Sequence, residues 1–378
     1  MLRSAAAIAL LTAAPAAADA PRVATDILPV HSLVAMVMDG VGEPDLLVPP
    51  GASPHGHALR PSEARALSEA DLVFWIGHGL TPWLEDPIET LAPDAQHIEL
   101  NAVDGTVLIP IRDSGAFAGG HDHGDDHDEH GHGEEHAEDE DHDDDHGEEH
   151  AEDDDHDHGE EHAKGDGHDH DDDHDDKDEH AEGDDHDHGE EHAEGDGHDH
   201  DDHAHGGDGS DPHTWLDPAN ARTWLTAISA ALSDADPDHA DTYAANAAAA
   251  AARIGAAESA ALATLAPFGG GRYVVYHDAY QYFEDHFGVG VVGTIALYDA
   301  DTPGPARLRE LQERVGTEPV NCLFSEPQYD PGLVEVLADG TELPIAVLDP
   351  LGTDLPMGSS LYPALLEDLA DSIASCAG

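Results

Sequence analysis

The side chains best suited to chemistry in this sequence are its histidines. There are 32, of which 23 lie between residues 121 and 205 and nine lie elsewhere. Among the nine, His55 and His277 stand at predicted strand ends, His213 follows an Asp-Pro pair, and Asp349 stands at another strand end. Ligands bind at the carboxyl ends of strands in open α/β sheets. Imidazoles and a carboxylate that converge there would bind a divalent metal ion.

The elements that would position these residues form two similar parts of the chain. Predicted strands cover residues 23–28, 46–48, 71–76, 273–277, 291–297, 322–325 and 344–348. Helical patterns lie between them, for example at 31–41, 61–70 and 82–91. This alternation predicts parallel sheets covered on both faces. We predict an α/β fold of two lobes joined by one long rigid helix, since an alanine-rich run links them. A helix of half that length followed by a loop is the alternative.

Composition divides the chain further. The predicted organisation is a signal peptide (1–20), the first part of the N-terminal lobe (21–117), an insert (118–210), the completion of that lobe (211–236), the linker helix (237–267) and the C-terminal lobe (268–378). The insert is rich in His, Asp and Glu, and residues 154–172 recur at 184–202 with one change, Lys164 against Glu194. With almost no apolar side chains it cannot offset the entropy of ordering, so we predict disorder in the metal-free state.

The charge of the chain excludes some partners. The formal net charge is -71, and residues 121–205 alone hold 43 acidic residues and two lysines. Such a surface repels phosphates and anionic lipid headgroups, so nucleic-acid and membrane-surface binding are not expected. It attracts cations.

The first residues predict export. Arg3 precedes a short apolar core and small residues up to Ala20, the pattern of a signal peptide. Cleavage after Ala18 or after Ala20 fits, and Pro21 favours Ala18. No cysteine lies near this site, so we expect a periplasmic protein without a lipid anchor.

Four motifs resemble one family. The stretches GASPHGHALRPSEARALSEADLVFWIG, DPHTWLDPANA, YHDAYQYFEDHFGV and FSEPQYDP…LDPLGTD resemble the periplasmic metal-binding proteins of zinc and manganese ABC importers. They occur in the family's order and, with the segments between them, cover nearly all the mature chain. The chain is most similar to the zinc branch, the ZnuA-like solute-binding proteins, whose members often carry a His-rich acidic insert.

The resemblance implies the ligands of a transported Zn²⁺ ion. They fall on His55, His213 and His277, and a histidine at the third position suits zinc, whereas manganese-type relatives have a carboxylate there. Some zinc-type relatives have Glu where this chain has Pro54, so the fourth ligand is water, Asp349 or an insert histidine. Asp349 as an acceptor that orients His277 is a further alternative.

Secondary metal candidates lie near the triad and in the insert. His57, two residues from His55, is one; its alternative is a solvent-facing residue at the cleft mouth. The insert candidates include His121, His123, His156, His158, His168, His170, His186, His188, His198, His200, His203 and His205. A tract of this kind would gather zinc, buffer it or dock a zinc-donating partner. The alternative is a solvated spacer without a role in metal binding.

The only two cysteines are Cys322 and Cys376. An even pair in an exported chain indicates a disulfide, and the pair matches one in zinc-binding relatives; two free thiols are the alternative.

The resemblance implies a monomeric transport protein rather than an enzyme. Its expected partner is a zinc ABC permease in the inner membrane, and a periplasmic zinc chaperone is a further candidate. A zinc hydrolase and a periplasmic storage protein are the rival functions. Against the hydrolase, the sequence has no HExxH motif and no glycine-flanked serine, and Glu326 is the carboxylate placed to act as a base.

Overall fold

The computed structural model describes residues 20–112, 209–268, 271–296, 303–317 and 319–377. The predicted signal peptide lies outside the described residues except for Ala20, and the predicted insert except for Gly209 and Ser210. The insert's predicted disorder and its histidines therefore stay predictions. Among the described helices, none combines the length and apolar character that a bilayer crossing requires.

Strands and helices alternate in both lobes. The strands are β1 Val23–Thr25, β2 Asp45–Leu46, β3 Leu72–Trp75, β4 Gln96–Glu99, β5 Arg272–Val275, β6 Gly290–Thr294, β7 Cys322–Ser325 and β8 Ile345–Val347. The helices are α1 Leu28–Val37, α2 Pro61–Ser68, α3 Glu85–Leu91, α4 Pro218–Ala235, α5 Ala240–Leu265, α6 Gln281–Phe287, α7 Pro305–Thr317, α8 Gly332–Ala338 and α9 Leu361–Ala377. Short 3₁₀ turns flank α5 at Pro237–His239 and Ala266–Phe268.

Each lobe contains one four-stranded parallel sheet. The order is β2-β1-β3-β4 in the N-terminal lobe and β6-β5-β7-β8 in the C-terminal lobe. The inner strands β3 and β7 are buried along their whole length, as expected when helices cover both faces. The predicted α/β fold with two parallel-sheet lobes is confirmed.

The linker is a single long helix. Helix α5 has 26 residues, which makes it about 39 Å long. Its buried residues recur every three to four positions along one face and are mostly small: Tyr243, Ala250, Ile254, Ala257, Ala261 and Leu265. Small side chains allow close packing against α1, α4 and α9, and one continuous apolar cluster includes residues of both lobes and of α5. The predicted long connecting helix is confirmed.

Strand and helix ends differ from the predicted ones. Helix α1 begins at Leu28, inside the segment predicted as the first strand, and β4 was not predicted. A disulfide joins Cys322 of β7 to Cys376 of α9, as predicted.

Candidate metal centre

His55 lies on the loop between β2 and α2. The loop begins with a tight turn in which Gly51 has φ of 81°, a left-handed conformation that suits glycine. The indole Nε1–H of Trp83 donates to the carbonyl of Pro54 at 2.6 Å. The backbone N–H of His55 donates to Oγ of Ser53 at 3.3 Å. These bonds hold the half-buried imidazole at the cleft.

His213 stands two residues after Asp211, whose carboxylate orients it. Oδ1 of Asp211 accepts the backbone N–H of His213 at 2.9 Å and lies 2.7 Å from its Nδ1. The His213 side chain is 3% exposed. With Nδ1 held by a carboxylate, Nε2 is left to face the cleft as a ligand atom.

His277 repeats this arrangement in the other lobe. It stands just after β5, and Glu326 stands just after the neighbouring strand β7. Oε2 of Glu326 lies 2.7 Å from Nδ1 of His277, and its Oε1 accepts the His277 backbone N–H at 3.3 Å. The sequence interpretation considered Asp349 as the acceptor that orients His277; the carboxylate found at its Nδ1 is Glu326, because β7 and not β8 is the neighbour of β5.

The three imidazoles converge through their Nε2 atoms. Nε2 of His213 lies 3.3 Å from Nε2 of His55 and 3.3 Å from Nε2 of His277. In the described part of the chain, these three residues form the group whose ligand atoms all lie within 4.8 Å of one another. A tetrahedral zinc ion with Zn–N bonds of about 2.05 Å needs N···N separations of about 3.3 Å. The geometry therefore suits this ion.

The cavity at the triad is small. Its volume is ≈ 10 Å³, room for about one water-sized group. Besides the imidazoles, Pro54, Trp215, Gln328 and Leu351 are among its lining residues. A site of this size and shape suits a single ion and not an organic ligand.

Asp349 does not belong to the triad's group of mutually close ligand atoms. Its Oδ1 accepts hydrogen bonds from Nε2 of Gln328 at 2.9 Å and from the backbone N–H of Leu351 at 3.0 Å. Its Oδ2 accepts the backbone N–H of Thr353 at 2.5 Å. These bonds hold the loop after β8 beside the cavity, which Gln328 and Leu351 line.

His57 also lies outside the group that the triad forms. Its Nε2 is 2.9 Å from Oε2 of Glu63, and its ring packs edge-on against Trp83. Its side chain is only 9% exposed, so the solvent-facing alternative is wrong. Burial raises the pKa of Glu63, but the Arg60 backbone N–H and His57 outweigh it and leave that pKa below its usual value.

The remaining described histidines each contact other groups. These contacts join His31 to the Pro44 carbonyl, His78 to Glu85, His97 to the Ala92 carbonyl, His239 to Asp236, and His286 to Asp217 and Glu258. Burial lowers the pKa of His31. The insert histidines lie outside the described residues.

Sequence reasoning missed the roles of Asp211 and Glu326. Asp211 was visible as an acidic residue two positions before His213, the spacing at which an Asp side chain bonds the following backbone. Glu326 was visible as a carboxylate at a strand end, but its pairing with His277 depends on which strands are neighbours.

Known proteins resemble this chain over nearly its whole length. The model of the family described as "Zinc-uptake complex component A periplasmic" (ZnuA) matches residues 23–376. The High-affinity zinc uptake system protein ZnuA of Paracoccus denitrificans is 40% identical over 374 residues, which are 98% of this chain and 97% of that protein. The protein of the same name from Brucella abortus is 37% identical over 354 residues, 94% of this chain and 91% of that protein.

Solved structures share the fold. A crystal structure of ZnuA aligns with a TM-score of 0.61 at 18% identity and covers 94% of this chain and 100% of its own. A zinc-bound ZnuA deletion mutant aligns with a TM-score of 0.60 at 18% identity over 94% of this chain and 98% of its own. The family match over nearly the whole chain and the identity to its curated relatives establish that this chain belongs to the ZnuA family of periplasmic zinc-uptake components.

Proposed function

We propose that this protein captures zinc with high affinity in the periplasm and delivers it to an ABC-type permease of the inner membrane. One observation carries the proposal: three imidazole Nε2 atoms meet in a small cavity, with two separations of 3.3 Å. Membership of the ZnuA family supports it. His55, His213 and His277 are the proposed zinc ligands.

The donor set favours zinc over manganese. Zinc is borderline-soft and binds imidazole nitrogen at about 2.0–2.1 Å, whereas manganese prefers oxygen donors. The carboxylates of Asp211 and Glu326 at the Nδ1 atoms fix the rings of two ligands with Nε2 facing the cavity. A preorganised site with three imidazole nitrogens at tetrahedral spacing is therefore the basis of the proposed affinity.

The triad supplies three of the four ligands that a tetrahedral zinc ion takes. Pro54 lines the cavity but has no side-chain donor. Water or Asp349 is the proposed fourth ligand, and Asp349 would have to exchange one of its present hydrogen bonds for the ion. Histidines of the insert are proposed secondary sites that gather zinc for the triad.

Delivery of zinc to the permease requires release of the ion, and the division of the ligands between the two lobes provides a way to release it. His213 lies between β4 of the N-terminal lobe and α4, while His277 follows β5 of the C-terminal lobe. Separation of the lobes would remove at least one ligand and release the ion, and α5, packed against α1, α4 and α9, restricts that separation. We propose a monomer that is exported by its signal peptide and docks on the permease. A zinc chaperone is a second proposed partner.

The surroundings of Glu326 support a carrier over a hydrolase. A general base must reach a metal-bound water, but the side chain of Glu326 is fully buried and both of its oxygens face His277. Its position suits a group that orients a ligand.

The test is zinc occupancy of full-length single variants. His55→Ala, His213→Ala and His277→Ala should each lose the one zinc ion that survives dialysis against a moderate chelator. His78→Ala is the matched control, because His78 is also paired with a carboxylate but is partly exposed. Tight-site occupancy that survives in all three triad variants would eliminate the proposed site. Growth of cells in zinc-poor medium, with wild-type or His213→Ala protein, tests delivery.

A further inference from the structure

A short two-stranded stem lies at the base of the insert. Residues 109–111 pair antiparallel with residues 209–211: the Ile111 N–H donates to the Gly209 carbonyl at 2.9 Å, and the Asp211 N–H donates to the Ile109 carbonyl at 2.8 Å. A bridge between Pro110 and Ser210 lies between these bonds. We call residues 109–112 and 209–211 the stem.

Arg112 joins the stem to the C-terminal lobe. Its Nε–H donates to Oδ2 of Asp278 at 2.7 Å, and its Nη2 donates to Oδ1 of the same carboxylate. Nη1 and Nη2 donate to the two oxygens of Glu284 at 3.1 Å and 2.6 Å. The Arg112 side chain is 29% exposed, and that of Glu284 only 10%. A guanidinium that binds two carboxylates through paired bonds is a strong and geometrically specific contact.

Helix α6 makes three more contacts with the stem. The hydroxyl of Tyr282 accepts the Ile109 N–H at 3.0 Å and donates to the Asp211 carbonyl at 2.9 Å, so it bonds both strands of the stem. Nε2 of Gln281 donates to the Pro110 carbonyl at 3.0 Å. These bonds and those of Arg112 fix the stem against the lobe that carries His277.

The contact between the stem and the C-terminal lobe adjoins residues of the metal centre on both sides. Asp211 is the last stem residue and holds the backbone N–H and Nδ1 of His213. Asp278 is the residue that follows His277. A shift of the stem away from α6 would therefore move the Asp211 carboxylate, which orients His213, relative to the backbone of His277.

We propose that Arg112 is a positioning residue of the metal centre: by holding the stem against α6 it keeps His213 and His277 at their ligand spacing and slows release of the ion. Without its charge, Asp278 and Glu284 would repel each other where the guanidinium now joins them. Loss of Arg112 also removes four hydrogen bonds between the stem and the C-terminal lobe, which favours separation of the stem from α6. This role for Arg112 depends on the proposed zinc site at the triad.

The test measures zinc release from full-length protein. Each variant is stripped of metal, loaded with one equivalent of Zn²⁺, and mixed with excess chromophoric chelator at neutral pH. The slow phase of zinc release that is seen in the wild type and is absent in His213→Ala measures release of the ion from the triad. In Arg112→Gln this phase should be about tenfold faster, equivalent to about 1.4 kcal/mol. Arg112→Lys, which keeps the charge without the paired bonds, should fall between.

Glu284→Gln tests whether the ion pair between Arg112 and Glu284 slows zinc release. The single variant should also release zinc faster, and the double variant with Arg112→Gln should be no faster than Arg112→Gln alone, since both remove the same interaction. Arg65→Gln is the control, because it breaks an exposed ion pair between Arg65 of α2 and Glu69, the residue that follows this helix. Its release rate should equal that of the wild type.

The outcomes separate this inference from the proposed function. If His213→Ala lacks the slow phase and Arg112→Gln releases zinc at the wild-type rate, the role of Arg112 is refuted and the zinc site stands. A lowered thermal stability of Arg112→Gln with an unchanged release rate refutes it equally, because a purely structural contact would behave in that way. If His213→Ala keeps the slow phase, the zinc site itself is wrong.

Discussion

Replacement of Glu326 by glutamine tests how the triad is held. The carboxylate lies 2.7 Å from Nδ1 of His277 and also accepts its backbone N–H. Glu326→Gln keeps the size of the side chain but replaces the charged acceptor with a neutral amide. Hydrogen bonds to charged groups contribute about 1.5–3 kcal/mol and neutral ones about 0.5–1.5 kcal/mol. The difference, about 1–2 kcal/mol, corresponds to a loss of about 5- to 30-fold in affinity.

The loss typical of metal sites overlaps this range and extends above it. Removing the carboxylate partner of a metal-bound histidine typically lowers metal affinity by about 10- to 100-fold. We therefore expect the zinc dissociation constant of Glu326→Gln to rise about tenfold or more. Asp211→Asn should have a similar effect, because Asp211 holds His213 through the same pair of contacts.

The assay is a competition titration of full-length protein at pH 7, with a chelator strong enough to remove zinc from the weak sites of the insert. Glu85→Gln is the matched control, since Glu85 lies 2.6 Å from Nδ1 of His78 at the surface, and its zinc affinity should equal that of the wild type. Wild-type affinity in a correctly folded Glu326→Gln variant would refute the orienting role.

Three further predictions concern a neighbouring histidine, a buried acid and the disulfide. His57→Ala should leave tight-site zinc affinity unchanged and cost about 1 kcal/mol of stability, because its ring bonds Glu63; competition titration and urea unfolding measure both, and a large affinity loss would place His57 in the site. Burial raises the pKa of Asp26 from 3.8 to about 7, so the folded state binds the proton of this carboxyl group more tightly than the unfolded state does. Protonation of Asp26 therefore stabilises the fold fully below pH 3.8, and this stabilisation is lost as the pH rises through about 7. Asp26→Asn should flatten that part of the pH profile of unfolding, and an unaltered profile would contradict the assignment. Replacing Cys322 and Cys376 by serine should lower the free energy of unfolding by about 4 kcal/mol, since the bond spans a sequence separation of 54; equal stability by chemical denaturation would contradict it.

The lobes and their inner strands were predictable because local patterns specify them. The prediction for β7 matches the observed Cys322–Ser325, which is buried along its whole length. The first strand was predicted too long, because the apolar run from Val23 to Leu28 continues into the buried first turn of α1. Apolar periodicity alone cannot separate a short strand from such a turn. Strand β4 was missed because Gln96–Glu99 is a polar edge strand, mostly exposed.

The triad's side chains were identified from motifs, but their supports were not. Glu326 reaches His277 because β5 and β7 are neighbours in the sheet, a pairing that joins residues 49 positions apart. Arg112 meets Glu284 across 172 positions. Contacts of this range follow from the sheet order and the packing of the two lobes, which sequence patterns near each residue do not contain.

The central claim is that one zinc ion binds to His55, His213 and His277. The most direct measurement is anomalous diffraction at the zinc edge from crystals of the full-length protein loaded with zinc. We expect a strong peak in the cavity, about 2.0–2.1 Å from all three Nε2 atoms. Zinc held by other side chains, with no peak between these imidazoles, would contradict the account.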